Sequence, residues 1–483
     1  MIKLPGLIDP HIHARYMDSH KEDFLTSTNA ALAGGYTMVL DMPNNNPPIT
    51  TLQRLQEKIE QASHFTRYDI GFIFGSQGDN LDEFEKVKDI VFALKLYLNM
   101  TTGGYIIDEA TMKKIYSKWN KVTEGKKPIM LHAEENVMNA VAKVVRNTKQ
   151  PTHICHISSE VELNDVLKLK NEGLPITCGV TPHHLFLTKE DEERLGPYGL
   201  MKPSLKSKKD QDYLWEHFDD IDVVESDHAP HTIDEKESKN PPYGVPGLET
   251  TLPLLLTAMN QGRITIEQII DKCYTRPKAI FNIPDQKDTH IEVDETEEWK
   301  ILNSKLFTKC HWSPFHRMKV KGRVKRVILR GKAVFDHEKI LAASGYGEIV
   351  TARNDSLKKI HVLITVGDLE KKKALLPAIQ IASENKNIVF YATEKTQKLL
   401  AENGIEAIRV YKISEKGKKP NISSLIASNV FTYIINIPLK GNHGHLADQT
   451  DGEIIRRTAA EHELIPITDL AVAEIFLKKL GSK

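Results

Sequence analysis

The first half of the chain alternates short apolar runs with segments that have helical spacing. Several runs are apolar at consecutive positions, which is typical of strands buried on both faces. The eight runs lie at 6–14, 37–43, 69–75, 92–98, 128–134, 152–158, 175–182 and 222–230. Helical segments follow most of them, and we place the helix after the last run at 248–262. Eight strand–helix units in succession predict an α/β fold of the TIM-like (β/α)8 barrel type.

The second half of the chain shows two other patterns. Charged and apolar residues alternate within about 286–350, so we expect half-exposed antiparallel strands in a small β-module that completes a domain over 1–350. The polar segment 351–359 is the predicted linker. Five further strand–helix units predict a C-terminal doubly wound α/β domain with a parallel sheet over 360–483. Its strands are expected at 361–367, 387–393, 405–411, 431–438 and 464–469.

Composition and charge narrow the possible classes of protein. Lys and Arg together number 65, and Asp and Glu together also number 65, so the formal net charge is zero. The chain therefore lacks the global basic field that favours nucleic-acid binding. No apolar run reaches the ~18 residues of a membrane helix, and the N-terminal segment has no apolar core of signal-peptide length. The four cysteines form no CxxC pair and no disulfide framework. These features are typical of a cytoplasmic protein with reduced and mostly buried thiols.

Metal-binding residue types recur where the predicted barrel strands end. His11 and His13 lie two positions apart in the first strand, so their side chains share a face. The other candidates on later strands are Lys95, His132, His156 and Asp227. Barrel enzymes build their sites at the C-terminal ends of the strands, and nitrogen and carboxylate donors suit zinc. A lone histidine usually has a packing role, so the prediction depends on the whole set.

Lys95 is the most informative member of this set. An ammonium group buried among Phe92, Leu94 and Leu96 would cost several kcal/mol if it stayed charged and unpaired. A lysine of lowered pKa can instead react with CO₂, and the resulting carbamate has two oxygens that can bridge two cations. A lysine that points to the surface from an edge strand is the alternative.

The strings GLIDPHIHAR, LKLYLN, HICHIS and SDHAPHT resemble the binuclear amidohydrolase superfamily, over about residues 3–350. The resemblance is to dihydroorotases, of the type found in the fused pyrimidine-biosynthesis protein of animals. It implies two Zn²⁺ ions bridged by a carboxylated Lys95. One zinc would be held by His11, His13, Lys95 and Asp227. The other zinc would be held by Lys95, His132 and His156.

The same resemblance implies the reaction. It is the reversible cyclisation of N-carbamoyl-L-aspartate to L-dihydroorotate and water in de novo UMP synthesis, with Asp227 as the residue that moves the proton. Arg15, Asn44 and His231 would bind the substrate carboxylate, since the planar guanidinium pairs with carboxylates. Thr101 would contact substrate from a lid.

Two other functions stay open. One is a related cyclic amidase, namely a hydantoinase, dihydropyrimidinase or allantoinase, which shares the metals but not the need to bind a substrate carboxylate. The other is an inactive barrel that serves as a scaffold for aspartate transcarbamoylase; such a barrel would be expected to lose metal ligands. Three further histidines, His183, His184 and His228, are assigned structural roles, and Cys155 is expected to point away from the site and to pack.

The strings VGDLEKKK, YATEKTQKLL and TDGEIIRRTAAEHELIPITD resemble the methylglyoxal-synthase-like domain that regulates carbamoyl-phosphate synthetases. Thr393 and Thr396 lie where a helix begins, a position that favours phosphate. Lys372, Lys412 and Asn436 would complete an anion pocket for a phosphorylated effector, such as a uridine nucleotide or phosphoribosyl pyrophosphate. The resemblance also implies a homodimer and association with aspartate transcarbamoylase or carbamoyl-phosphate synthetase.

Overall fold

A computed structural model describes residues 1–100, 106–352, 360–385, 388–415, 417–428, 430–438, 451–462 and 464–481. The chain divides into two compact units, Met1–Ser356 and Leu357–Lys483. Most of the predicted linker 351–359 lies outside the described residues. Among the described residues, none of the helices combines the length and the apolar character needed to cross a membrane.

The first unit contains a parallel eight-stranded sheet that follows chain order. A short strand, β1 (Ile2–Pro5), precedes it. The barrel strands are β2 (Leu7–Ile12), β3 (Tyr36–Asp41), β4 (Asp69–Gly75), β5 (Ala93–Tyr97), β6 (Ile129–His132), β7 (Thr152–Ile154), β8 (Ile176–Val180) and β9 (Val223–Val224). An isolated parallel bridge between Ile12 and His228 joins the two ends of the sheet. The predicted (β/α)8 barrel is therefore confirmed.

Helices surround these strands and explain why the strands are apolar on both faces. The helices of this unit are α1 (Phe24–Ala33), α2 (Leu52–Phe65), α3 (Phe84–Val87), α4 (Glu109–Thr123), α5 (Met138–Thr148), α6 (Glu160–Asn171), α7 (Pro182–Phe186), α8 (Lys189–Leu195), α9 (Lys208–Glu216), α10 (Ile233–Lys236), α11 (Thr251–Asn260), α12 (Ile266–Ile270) and α13 (Arg276–Phe281). Every residue of β2, β3 and β4 is buried. Such strands must be covered on both sides, as in other parallel sheets.

The β-module is an antiparallel five-stranded sheet in the order β1-β10-β11-β12-β13. Its later strands are β10 (His290–Lys300), β11 (Lys319–Leu329), β12 (Lys332–Asp336) and β13 (Lys339–Ile340). Alternation along β11 buries Val320, Val324 and Val327 and turns the intervening polar residues outward. The alternating sequence pattern correctly predicted these strands, but it did not indicate that β1 joins them.

The C-terminal unit has a parallel sheet in the order β16-β15-β14-β17. Its strands are β14 (Ile360–Val366), β15 (Ile388–Thr393), β16 (Ala407–Val410) and β17 (Tyr433–Ile437). Its helices are α14 (Leu369–Ser383), α15 (Glu394–Glu402), α16 (Ile422–Ala427), α17 (Asp451–Glu461) and α18 (Leu470–Gly481). The predicted fifth strand at 464–469 was wrong, because that segment forms only one bridge, between Ile435 and Ile467. In that bridge Ile467 donates its N–H to the carbonyl of Ile434 and accepts the N–H of Asn436.

Candidate metal centre

The six predicted metal ligands converge at the C-terminal end of the barrel. His11 lies in β2 and His13 one residue beyond it, while Lys95 lies within β5. His132 is the last residue of β6, and the two remaining ligands, His156 and Asp227, follow β7 and β9. All of them are buried except Asp227, which is partly exposed. Strand ends that meet at one rim of the barrel thus place these side chains together.

Asp227 connects the two histidines of the first strand. Its Oδ1 atom lies 3.0 Å from Nε2 of His13 and 3.4 Å from Nε2 of His11. On the other side, Nδ1 of His132 lies 3.1 Å from Nε2 of His156. The ring centroids of His11 and His156 are 5.3 Å apart, so the two groups form one continuous cluster.

Lys95 lies within β5 beside the histidine cluster, and only 1% of its surface is exposed. Its Nζ atom donates to Sγ of Cys155 at 3.0 Å and lies 5.4 Å from the ring centroid of Tyr97. The assignment of Cys155 as a residue pointing away from the site was therefore wrong. Because β7 ends at Ile154, the alternation of side chains along the strand does not extend to Cys155.

The electrostatics of the cluster favour a proton on His11, whereas burial disfavours one on His13. Burial and Lys95 act to lower the pKa of His11, but the carboxylates of Asp227 and Glu225 contribute to a net rise to about 10. Burial alone would raise the pKa of Asp227, yet His11 and His13 hold it well below its usual range. Burial lowers the pKa of His13 to about 4. The carboxylates that stabilise a proton on His11 would equally attract a metal cation.

Three residues of the site have left-handed backbone conformations. Their φ angles are 57° at Arg15, 42° at His156 and 43° at Asp227. Side chains other than glycine adopt this region at a cost, and such residues persist where surrounding contacts fix them. The barrel rim thus holds these functional side chains in directions that regular strands would not give.

The candidate substrate residues lie beside the metal ligands. Arg15 donates from Nε to the carbonyl of Pro230 at 3.0 Å, and its Nη2 lies 3.1 Å from Nε2 of His231. Asn44 contacts one of the candidate metal ligands, because its Oδ1 lies 2.6 Å from Nδ1 of His13. Thr101 lies outside the described residues. Of the three residues predicted to bind the substrate carboxylate, Arg15 and His231 contact each other and Asn44 contacts His13.

The donor set fits a divalent metal ion. Among the described residues, His11, His13 and Asp227 offer one ligand atom each within 4.8 Å of one another, as do His11, Cys155 and His156. Nε2 of His132 and Nδ1 of His156 are buried and have no hydrogen-bond partner among the described residues. Buried polar atoms are normally satisfied, so these histidines match the needs of a metal site.

Sequence reasoning missed Glu225, which is fully buried beside the cluster. Its Oε1 atom accepts the backbone N–H of His156 at 2.6 Å, and its Oε2 atom lies 3.5 Å from Nδ1 of His11. The signal was available, because a glutamate within the apolar run at 222–230 has to find partners in the interior.

The C-terminal unit contains a second polar cluster. Burial lowers the pKa of Lys372, and nearby Lys395 and Lys412 lower it further. Oγ1 of Thr396 is buried without a hydrogen-bond partner among the described residues, and Thr393 is the N-cap of α15. Clustered lysines beside a helix N-terminus favour an anion.

Asn436 belongs to a side-chain network in the same unit. It donates from Nδ2 to Oγ1 of Thr365 at 2.8 Å and accepts from Nη1 of Arg456 at 2.5 Å. Sequence reasoning missed Arg456, whose place opposite Asn436 depends on how α17 packs against β17. Arg456 brings a further positive charge to Asn436, one of the predicted effector residues.

Comparisons with known proteins agree with this architecture. The Amidohydrolase family matches residues 2–334, and the MGS-like domain matches residues 375–468. The chain belongs to the amidohydrolase family, a metal-dependent class of barrel enzymes. The L-hydantoinase (dihydropyrimidinase) of Arthrobacter aurescens has a similar structure, with a TM-score of 0.69 and 25% identity over 72% of this chain and 89% of that chain.

Two relatives define the particular type. The chain is 37% identical over 383 residues to the dihydroorotase of Pyrococcus horikoshii, and this match covers 73% of this chain and 85% of that protein. It is 43% identical over 357 residues to the multifunctional protein CAD of Squalus acanthias, across 73% of this chain. The chain spans 16% of the length of that multifunctional relative. The prediction of a dihydroorotase-type amidohydrolase followed by an MGS-like domain is therefore confirmed.

Proposed function

We propose that the barrel unit is a dihydroorotase that interconverts N-carbamoyl-L-aspartate and L-dihydroorotate through two zinc ions. One observation supports this proposal: the six candidate ligand side chains lie together at the barrel rim, beside the Arg15–His231 pair. His11, His13 and Asp227 would hold one zinc, and His132 and His156 the other. Lys95, as a carbamate, would bridge them. Bound zinc would lower the pKa of a water molecule and polarise the ring carbonyl.

The protein side chains supply the remaining steps. In ring opening, water adds to the amide carbon, the ring C–N bond breaks, and the nitrogen leaves with a proton. Asp227 is suited to carry that proton, because it is ionised at neutral pH and lies between His11 and His13. Ring closure reverses these steps: Asp227 would take a proton from the terminal carbamoyl nitrogen as the C–N bond forms, and the proton would leave with the departing water.

Arg15 would provide specificity by binding the substrate carboxylate. Its Nε is fixed on the carbonyl of Pro230, and the positive-φ backbone of Arg15 turns the side chain toward His231. Burial lowers the pKa of His231 well below its ordinary value, so its ring stays neutral. Guanidinium and imidazole together suit the carboxylate of dihydroorotate, which dihydrouracil lacks.

Turnover of dihydroorotate and dihydrouracil by the wild type and Arg15→Met tests this specificity. We expect the wild type to prefer dihydroorotate, and Arg15→Met to lower kcat/KM for it by about 100-fold, the scale of one lost charge-assisted hydrogen bond. Metal content should stay unchanged. Arg194→Met, an exposed arginine 64% accessible at its side chain, is the control. Equal or better turnover of dihydrouracil by the wild type would favour a related cyclic amidase.

The C-terminal unit would bind a phosphorylated effector. Support comes from the mutual proximity of Lys372, Lys395 and Lys412 and from the unpartnered hydroxyl of Thr396. Calorimetric titration with uridine monophosphate and with phosphoribosyl pyrophosphate tests this assignment. Absence of heat with both ligands at high concentration would contradict it.

A further inference from the structure

Glu225 directly follows the last barrel strand, β9, and none of its surface is exposed. A carboxylate in the interior of a barrel is strongly unfavourable unless it accepts hydrogen bonds or pairs with positive charge. The mechanism proposed for the barrel gives Glu225 no chemical step. Its partners therefore indicate its role.

The partners of Glu225 are three histidines. One oxygen, Oε1, accepts the backbone N–H of His156 at 2.6 Å. The other oxygen, Oε2, lies 3.5 Å from Nδ1 of His11 and 3.5 Å from Nε2 of His153. These three atoms, Oε2 and the two ring nitrogens, have no hydrogen-bond partner among the described residues. A single carboxylate thus contacts two of the candidate metal ligands. It faces Nδ1 of His11, whereas Asp227 faces Nε2 of the same ring. It contacts His156 through the backbone N–H of that residue.

The neighbouring strand leaves space for this carboxylate. A Cβ atom at Gly179, in β8, would lie 2.6 Å from Oε1 and 2.7 Å from Cδ of Glu225. The backbone of Gly179 does not have a positive φ, so its conformation does not require glycine. The absent side chain therefore serves to accommodate Glu225.

The contact with His156 falls where the backbone is unusual. His156 has a φ of 42°, and its N–H points at Glu225 instead of at a neighbouring strand. Residues in this region keep their conformation only where other groups fix them. Glu225 supplies that fixation to one ligand through the backbone and faces the ring of the other.

We propose that Glu225 is a positioning residue of the metal centre. Its Oε2 atom would accept a hydrogen bond from Nδ1–H of His11, which leaves Nε2 of that ring free to bind the metal beside Asp227, and its Oε1 atom holds the turn that presents His156. Carboxylates that accept a hydrogen bond from a ligating histidine fix its tautomer and ring orientation. This inference rests on the proposed metal centre of the barrel.

Metal binding by the full-length protein tests the inference. Glu225→Ala, Glu225→Gln and the control Glu162→Gln would be titrated with Co²⁺, with absorption spectra and chelator competition as readouts. Glu162 is also buried, but its carboxylate accepts its hydrogen bonds from Ser158 and not from any of the six candidate ligands. We expect Glu225→Ala to weaken Co²⁺ binding by about 10- to 100-fold and to change the visible spectrum. Glu225→Gln should recover part of the loss, and Glu162→Gln should match the wild type.

Gly179→Ala provides a second variant that keeps the carboxylate but displaces it. It should also weaken Co²⁺ binding, which distinguishes displacement of Glu225 from loss of a buried charge. Unchanged Co²⁺ affinity and spectrum in a folded Glu225→Ala protein would overturn the inference. So would the loss of a whole Co²⁺ equivalent in Glu225→Ala and Glu225→Gln alike, because Glu225 would then be a ligand. If the wild type binds no metal, the proposed function itself fails first.

Discussion

Individual residues at the barrel rim have strained backbone conformations, and contacts with neighbouring groups hold them there. Arg15, His156 and Asp227 have positive φ angles, and each such residue costs of order 1–3 kcal/mol. Arg15 is held by the carbonyl of Pro230, and His156 by the carboxylate of Glu225. The rim therefore stores strain where side chains must point into a common space instead of along the strands.

The role of Lys95 gives the first prediction at this scale. Lys95→Ala removes the only group that is proposed to bridge both metals, so turnover should fall about a thousand-fold, as expected when several kcal/mol of transition-state stabilisation are lost. Metal content, measured by atomic absorption, should fall as well. Lys126→Ala, an exposed lysine, is the control. Near-normal turnover and metal content in Lys95→Ala would contradict the bridging role.

Metal affinity should also depend on pH in a defined direction. The pKa of His11 is raised to about 10, so this ring is protonated near neutral pH and a metal must displace its proton. Affinity should then rise by about tenfold per pH unit from 6 to 9. His13, whose pKa is lowered to about 4, is already neutral and adds no slope. Zinc competition titrations at three pH values would measure this, and a flat profile would contradict it.

At the scale of elements, a short loop after α10 shapes the substrate side of the site. Lys236, at the end of α10, donates from Nζ to the carbonyls of Leu200, Pro242 and Gly244 at 3.1, 2.9 and 3.2 Å. The carbonyl of Tyr243, between the last two, lies 3.0 Å from Nε2 of His231. One buried lysine thus holds the loop that faces the proposed carboxylate site.

Replacement of this lysine should affect both stability and binding. Lys236→Met leaves three carbonyls without their donor, so the free energy of unfolding should fall by about 3 kcal/mol. The KM for dihydroorotate should rise because the His231 contact loosens. Urea unfolding and steady-state kinetics measure the two effects. Lys209→Met, whose side chain is 81% exposed, should change neither, and an equally stable Lys236→Met would contradict the role of the loop.

Elements that depend on local pattern were predictable from the sequence, whereas contacts between strand ends were not. The eight barrel strands and the alternation in β11 follow from the order of apolar residues. The predicted strand at 464–469 has the right apolar pattern but only one bridge. Glu225 and Cys155 were missed or misassigned because their side-chain directions depend on the turns after β9 and β7, which periodicity does not describe.

At the scale of the whole molecule, the chain combines a metal-centre barrel with a separate unit that carries its own candidate anion site. The two clusters differ in charge: carboxylates of the barrel attract cations, and the lysines near Thr396 attract anions. Two distinct sites are what the proposed regulation by a phosphorylated effector requires.

Removal of the Thr396 hydroxyl should weaken binding of the proposed effector and leave catalysis by the barrel unchanged. Thr396→Val should lower affinity for uridine monophosphate or phosphoribosyl pyrophosphate by about 10-fold, because one hydrogen bond to an anion is lost. Basal turnover of dihydroorotate should stay unchanged. Calorimetry and kinetics measure both, with the exposed Ser383→Ala as control. Wild-type affinity in Thr396→Val would remove Thr396 from the site.

The most direct measurement is dihydroorotate formed from N-carbamoyl-L-aspartate by the zinc-loaded protein, with zinc content determined on the same sample. We predict turnover that disappears when a chelator removes the metal and returns when zinc is restored. Absence of turnover in a protein that holds two zinc ions per chain would contradict the proposed dihydroorotase activity.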